Sequence, residues 1–114
     1  MRVYISGPIT GVQDLNRPAF AQAADYLRKL GHEPVNPHDL HKDAVDISWA
    51  GYMRRDIVAL CGCDAIIVLD KWGDSRGARI ERELAERLGM LVVDFGYNKR
   101  MAQVFGALNE TIAL

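Results

Sequence analysis

The stretch Ser75-Arg76-Gly77-Ala78-Arg79-Ile80-Glu81-Arg82-Glu83-Leu84-Ala85-Glu86-Arg87-Leu88-Gly89 decides the fold. One apolar run, Ala65-Ile66-Ile67-Val68-Leu69, precedes it, and another, Met90-Leu91-Val92-Val93, follows. The pattern predicts strand, loop, helix, strand, with Ser75 as N-cap and Gly89 closing the helix. At about 100° per residue, Gly77, Ala78, Ile80, Leu84, Ala85 and Leu88 share one arc, and Arg79, Arg82, Glu83, Glu86 and Arg87 share the other. Glu81 breaks the pattern, because it falls near the middle of the apolar arc. A carboxylate aimed at a packed sheet costs several kcal/mol unless it is paired, hydrogen-bonded or protonated. It is either a core Glu satisfied by a hydroxyl or an Arg, or a catalytic carboxylate facing a pocket. Gly77 and Ala78, one turn upstream, favour the pocket by leaving space beside it.

Outward from this helix, the same alternation recurs. Val3-Tyr4-Ile5 reads as a first strand, ended by the loop Ser6-Gly7-Pro8-Ile9-Thr10-Gly11. Asn16 or Asp14 is expected to cap the next helix, with Pro18 in its first turn and Phe20, Ala23, Ala24, Leu27 and Leu30 at helical spacing up to Gly31. His32-Glu33-Pro34-Val35 is a weak second strand stopped by Asn36-Pro37, and residues 38–47 read as a loop without periodicity. Ser48 is the expected N-cap of a helix from Trp49 to about Leu60, with Trp49, Tyr52, Met53, Ile57, Ala59 and Leu60 on its apolar arc. Asp56 lies inside that arc, so two helices each bury one carboxylate. Met101, Val104, Phe105 and Leu108 suit a final helix over the sheet. The βα alternation predicts an α/β doubly wound (flavodoxin/Rossmann-like) three-layer sandwich with a mostly parallel four- to five-stranded sheet.

The chain has 114 residues, 49% hydrophobic and 25% charged, which suits a single domain over residues 1–114. A formal net charge of −1 gives no basic excess for a nucleic-acid polymer or an anionic membrane. No apolar run approaches the roughly 20 residues of a membrane span. Met1-Arg2-Val3-Tyr4-Ile5 is too short for a signal sequence, so a cytoplasmic location is expected. Cys61 and Cys63 form a C-x-C pair with poor metal spacing, and His32, His38 and His41 find no matching ligand pair, so no metal and no cofactor are expected.

Ligands of such sheets sit outside the carboxyl ends of the strands. There the first strand delivers Tyr4 and its Gly-Pro loop, and the central strand delivers Trp72, Asp74 and Ser75. Free N–H groups at Ser75-Arg76-Gly77 and the Ser75 hydroxyl can form an anion cradle, or Ser75 can be an ordinary N-cap. Trp72 either stacks on a planar ring or caps the core. A carboxylate that attacks, a second that moves a proton, and an anion cradle suit a nucleotide-like molecule cleaved at a glycosidic bond.

Four segments together carry a resemblance: Tyr4-Ile5-Ser6-Gly7-Pro8-Ile9-Thr10-Gly11; Trp49-x-x-Tyr52-Met53-Arg54-x-Asp56; Cys63-Asp64-Ala65-Ile66; and Ser75-x-Gly77-Ala78-x-x-Glu81-x-x-x-Ala85. Over nearly the whole chain the sequence resembles a small, often phage-encoded family within the nucleoside 2-deoxyribosyltransferase-like superfamily. That resemblance implies Glu81 as the nucleophile at C1 of the sugar, Asp56 as a sugar contact that assists proton transfer, and Tyr4 beside the nucleophile. Ser75-x-Gly77 is similar to the branch that hydrolyses deoxynucleoside 5-monophosphates, where the Ser binds the phosphate. In the transferase branch an Asp stands at that place, and here only Asp74 is near it. Ser6, Gly7, Pro8, Ile9, Thr10 and Gly11 would complete the phosphate site, although Pro8 removes one N–H donor. The expected partner is a small-molecule nucleoside or nucleotide. The expected activity is N-glycosidic cleavage or transfer, with a non-catalytic nucleotide sensor on the same fold as the alternative. The resemblance further implies a homo-oligomer, for which Val58 and Val104-Phe105-x-x-Leu108 offer apolar contacts.

Overall fold

The computed structural model describes residues 1–42, 47–97 and 99. Within them the chain runs β1 (Arg2–Ser6), α1 (Arg17–Lys29), β2 (Glu33–Val35), α2 (Pro37–Leu40), α3 (Trp49–Cys61), β3 (Ala65–Val68), α4 (Arg76–Arg87) and β4 (Leu91–Asp94). The expected final helix with Met101, Val104, Phe105 and Leu108 lies outside the described residues.

The four strands form one all-parallel sheet in the order β2-β1-β3-β4. This is a doubly wound three-layer α/β sandwich, and the order reverses between β1 and β3. Because side chains alternate along a strand, each face of the sheet has its own core. Val3, Ile5, Ala65, Ile67 and Val93 pack with Phe20, Ala23, Ala24 and Leu27 of α1. On the opposite face Tyr4, Ile66 and Val68 pack with Leu60 of α3 and Ala85 of α4. Phe20 and Leu27 have no exposed surface, which contributes roughly 1.5–3 kcal/mol each.

The caps explain where the helices begin and end. Ser48 Oγ accepts from the Gly51 N–H at 3.1 Å, and Ser75 Oγ accepts from the Ala78 N–H at 3.1 Å. Gly31 and Gly89 take left-handed φ values of 85° and 73° just past α1 and α4, a conformation glycine adopts without a Cβ penalty. Two local expectations are corrected. Asn16 stands at the N-cap position of α1 but does not cap it, because it is itself left-handed and its Nδ2 donates to the Pro8 carbonyl at 2.9 Å. The stretch after Asn36 is not all loop: Asn36 Oδ1 accepts from the His38 N–H and starts the single turn of α2.

Candidate active site

The face of the sheet shared by α3 and α4 holds the whole set of buried polar and charged side chains among the described residues: Ser6 at 1% exposure, Glu81 at 5% and Asp56 at 7%. Tyr4 and Ser6 are two apart on β1 and therefore point to this same face. Glu81, two turns into α4, reaches down onto them. The Tyr4 hydroxyl donates to Glu81 Oε2 at 2.5 Å, and the Ser6 hydroxyl donates to Glu81 Oε1 at 2.7 Å. Both carboxylate oxygens thus accept from neutral donors, and among the described residues the acid has no ion-pair partner.

This setting fixes the protonation chemistry. Burial pushes Glu81 up to about 7 from its ordinary 4.5, and the nearby Asp56 charge pushes the same way, against the two hydroxyl hydrogen bonds. Near neutral pH the group is then about half ionised. Burial, followed by the charges of Glu81 and Asp56, holds Tyr4 well above its usual range, so it stays a donor.

Asp56, on α3, is the second acid. Its Oδ1 lies 2.6 Å from His41 Nε2, just after α2, and the His41 ring stands edge-on to Tyr52 with centroids 4.5 Å apart. Burial raises the Asp56 pKa, opposed by the His41 hydrogen bond and by the charges of His41 and His38. His41 Nδ1 is buried with no hydrogen-bond partner among the described residues. The pair is a carboxyl–imidazole couple able to hold one proton and pass it on. His41 was not expected at the site, because it lies in a stretch without periodicity.

The other expected residues spread over the carboxyl edge of the sheet. Ser6 belongs to β1 rather than to the loop after it, and its hydroxyl serves Glu81. Ser75 is the N-cap of α4, so the observed role of its oxygen is to accept from Ala78. Gly77 is a close approach between helices: a Cβ there would lie 3.0 Å from Met53 Sδ, so the space beside it is taken up by α3. Trp72 packs against the core on the Glu81 face, with the Arg82 guanidinium 4.5 Å from its ring centroid. Asp74 lies exposed in the helical turn before α4. Gly7 is buried, and a Cβ there would meet Leu69 Cβ at 2.9 Å. Ile9 packs on the α1 side, Thr10 is exposed, and Pro8 and Gly11 line a cavity on that side. The structure therefore joins Tyr4 and Ser6 to Glu81, with Asp56 bonded to His41 and near enough for its charge to act on Glu81, while the rest of the Gly-Pro loop turns towards the opposite face.

A family model described as a domain of unknown function, DUF4406, matches residues 1–94. The chain belongs to this DUF4406 family. The matched region runs from β1 through β4 and so contains Tyr4, Ser6, His41, Asp56 and Glu81 together. No curated protein matches the chain. Among the described residues of this DUF4406 chain, no group of three or more His, Cys, Asp or Glu side chains is placed to hold a metal ion. Cys61 and Cys63 are free thiols, and the buried Cys63 donates to the Ala59 carbonyl at 3.3 Å. No described helix is long and apolar enough to cross a membrane.

Proposed function

We propose that this protein cleaves or transfers the N-glycosidic bond of a (deoxy)nucleoside or its 5-monophosphate, with Glu81 as the nucleophile. The observation that carries the reading is the buried Glu81 carboxylate held by two hydroxyl donors, with Asp56, bonded to His41, near enough for its charge to add to the effect of burial on Glu81. Neutral donors orient a carboxylate without neutralising it, as covalent glycosyl chemistry requires. In the first step one Glu81 oxygen attacks the anomeric carbon as the C–N bond breaks, and the Asp56–His41 couple protonates the departing base. In the second step water, or the nitrogen of another base, attacks the same carbon. Its proton returns to the couple, and Glu81 leaves as the carboxylate. Tyr4 and Ser6 hold Glu81 in line throughout.

The resemblance to the superfamily supports the substrate class, and Ser75 at the N-terminus of α4 supports the choice of a 5-monophosphate. A homo-oligomer belongs to the same proposal; Val58, 74% exposed on α3, is its described contact candidate, and sedimentation measures it.

One observation favours a second reading, a nucleotide sensor that does not turn over: both Glu81 oxygens are already occupied and the side chain is nearly closed off. A panel of nucleosides and 5-monophosphates, followed by chromatography for free base and calorimetry for binding, separates the two. Release of base by the wild type, abolished in a folded Glu81→Gln variant, supports the enzyme. Binding without release supports the sensor, and neither binding nor release overturns both.

A further inference from the structure

A second feature of the carboxyl edge is independent of Glu81. The chain leaves β1 and β3 towards opposite faces, and doubly wound sheets open a crevice at such a reversal of strand order. A cavity of about 490 Å³ occupies this place on the α1 side. Its volume is within the ~300–1,000 Å³ typical of small-molecule sites. Tyr4, Ser6 and Glu81 lie across the sheet from it, since Leu69 and Phe95 in its wall belong to the α1-side core.

The lining has three kinds of chemistry. Pro8, Leu69 and Phe95 give an apolar wall that suits a planar ring. Lys71 and Lys99 bring two positive charges against the single acid Asp70, whose carboxylate packs onto Gly96: a Cβ there would lie 1.8 Å from Asp70 Oδ1. Gln13 and Gln22 offer amides, each a donor and an acceptor, for the edge of a heterocycle. Lys99 Nζ lies 3.4 Å from Gln22 Oε1 and 4.8 Å from the Phe95 ring centroid. Lys71 Nζ has no hydrogen-bond or ion-pair partner among the described residues.

The backbone around the crevice is unusual as well. All the left-handed non-glycine residues of the described chain, Asp14, Leu15, Asn16 and Lys71, lie in the two segments that form it, with φ between 51° and 63°. Such conformations persist where the surroundings hold them and cluster at ligand sites.

We infer that this crevice is a binding site for a phosphorylated planar heterocycle, with the phosphate between Lys71 and Lys99 and the ring against Phe95, Leu69 and Pro8. It lies across the sheet from Glu81 and does not depend on the catalytic reading. Adenosine 5-monophosphate is a suitable probe, with adenosine and inorganic phosphate as separate arms, titrated into the 15N-labelled full chain. The monophosphate should bind more tightly than either fragment and shift the amides of Gly11, Gln13 and Lys71. Lys71→Asn removes the amine but keeps a residue that tolerates left-handed backbone. It should preserve the melting temperature and weaken binding about tenfold, as loss of one charge-assisted contact does. No binding by the wild type, equal affinity in Lys71→Asn, or shifts confined to Ser75–Ala78 and Glu81 would overturn the assignment. The last result would place the nucleotide at the proposed catalytic residues instead.

Discussion

Replacing Tyr4 by Phe removes one oxygen and nothing else from a fully buried position, so it reads the electrostatics of Glu81 almost directly. The lost bond is a short O–H donation to a carboxylate, 2.5 Å long. Hydrogen bonds to charged groups contribute about 1.5–3 kcal/mol, and 1.36 kcal/mol corresponds to one pKa unit. Because this bond lowers the Glu81 pKa, its removal should raise the value from about 7 by roughly one to two units. At pH 7 the ionised fraction then falls from about a half to between a tenth and a hundredth. On the catalytic reading, kcat/KM at pH 7 falls roughly five- to fifty-fold, and most of the loss is recovered by pH 9 because the acidic limb has moved rather than vanished. Carbon-13 NMR of the Glu81 carboxyl follows the same midpoint without any substrate. An unchanged midpoint in Tyr4→Phe would refute the argument, whatever the activity does.

Three further outcomes follow from the same geometry. Glu81 titrates near 7 in the folded protein and near its ordinary 4.5 when unfolded, so the folded state binds the proton more tightly. That stabilisation is complete below pH 4.5 and is lost as pH rises through 7, a change of about 3 kcal/mol. Glu81→Gln should therefore gain about that much relative to the wild type between pH 4.5 and 8, and parallel urea midpoints at both ends would contradict it. His41→Ala leaves Asp56 buried without its partner and raises its pKa further. Stability should drop by about 1–3 kcal/mol at pH 8, where Asp56 is left buried without a partner, as urea unfolding will show. Gly7→Ala forces a Cβ against Leu69 and should cost about 1–3 kcal/mol; a change in unfolding free energy under roughly 0.5 kcal/mol, the usual surface range, would show that the contact relaxes freely.

Much of this architecture is legible in the chain because local rules and tertiary burial agree. The helix caps Ser48 and Ser75 and the left-handed Gly31 and Gly89 mark boundaries that the structure keeps within a residue or two. Glu81 and Asp56 are visible as errors in otherwise regular apolar arcs, and both are buried. What fails is non-local. Gly77 reads as open space from its own helix, yet Met53 of α3 fills it, which no helical wheel of α4 can show. His41 carries no periodic signal and meets Asp56 only through the tertiary fold. Ser6 was within reach: the alternation Tyr4-x-Ser6 puts both hydroxyls on one face, provided the strand is extended one residue into what looks like the loop. Asn36-Pro37, an N-cap followed by a proline that starts a helix, similarly announces α2, but a single turn is too short for hydrophobic spacing to register.

The decisive question for the site is why two carboxyl groups are buried with no guanidinium or ammonium partner among the described residues. Cations elsewhere on this chain pair with other acids, the half-buried Arg82 with Glu86 and the exposed Arg87 with Glu83. The buried acids instead receive hydroxyls and an imidazole. An interior chosen for stability alone would replace Glu81 with Gln or an apolar residue, since an unneutralised buried acid is held against its own desolvation. The Asp56 charge adds to the cost of ionising Glu81, after the larger effect of burial. The arrangement holds the pKa of one acid at about 7 by burial and bonds the other acid to an imidazole. On the catalytic reading, an attacking carboxylate and a proton donor need that division of states at the same pH. If Glu81→Gln proved more stable at neutral pH and equally active, that division would be incidental to function.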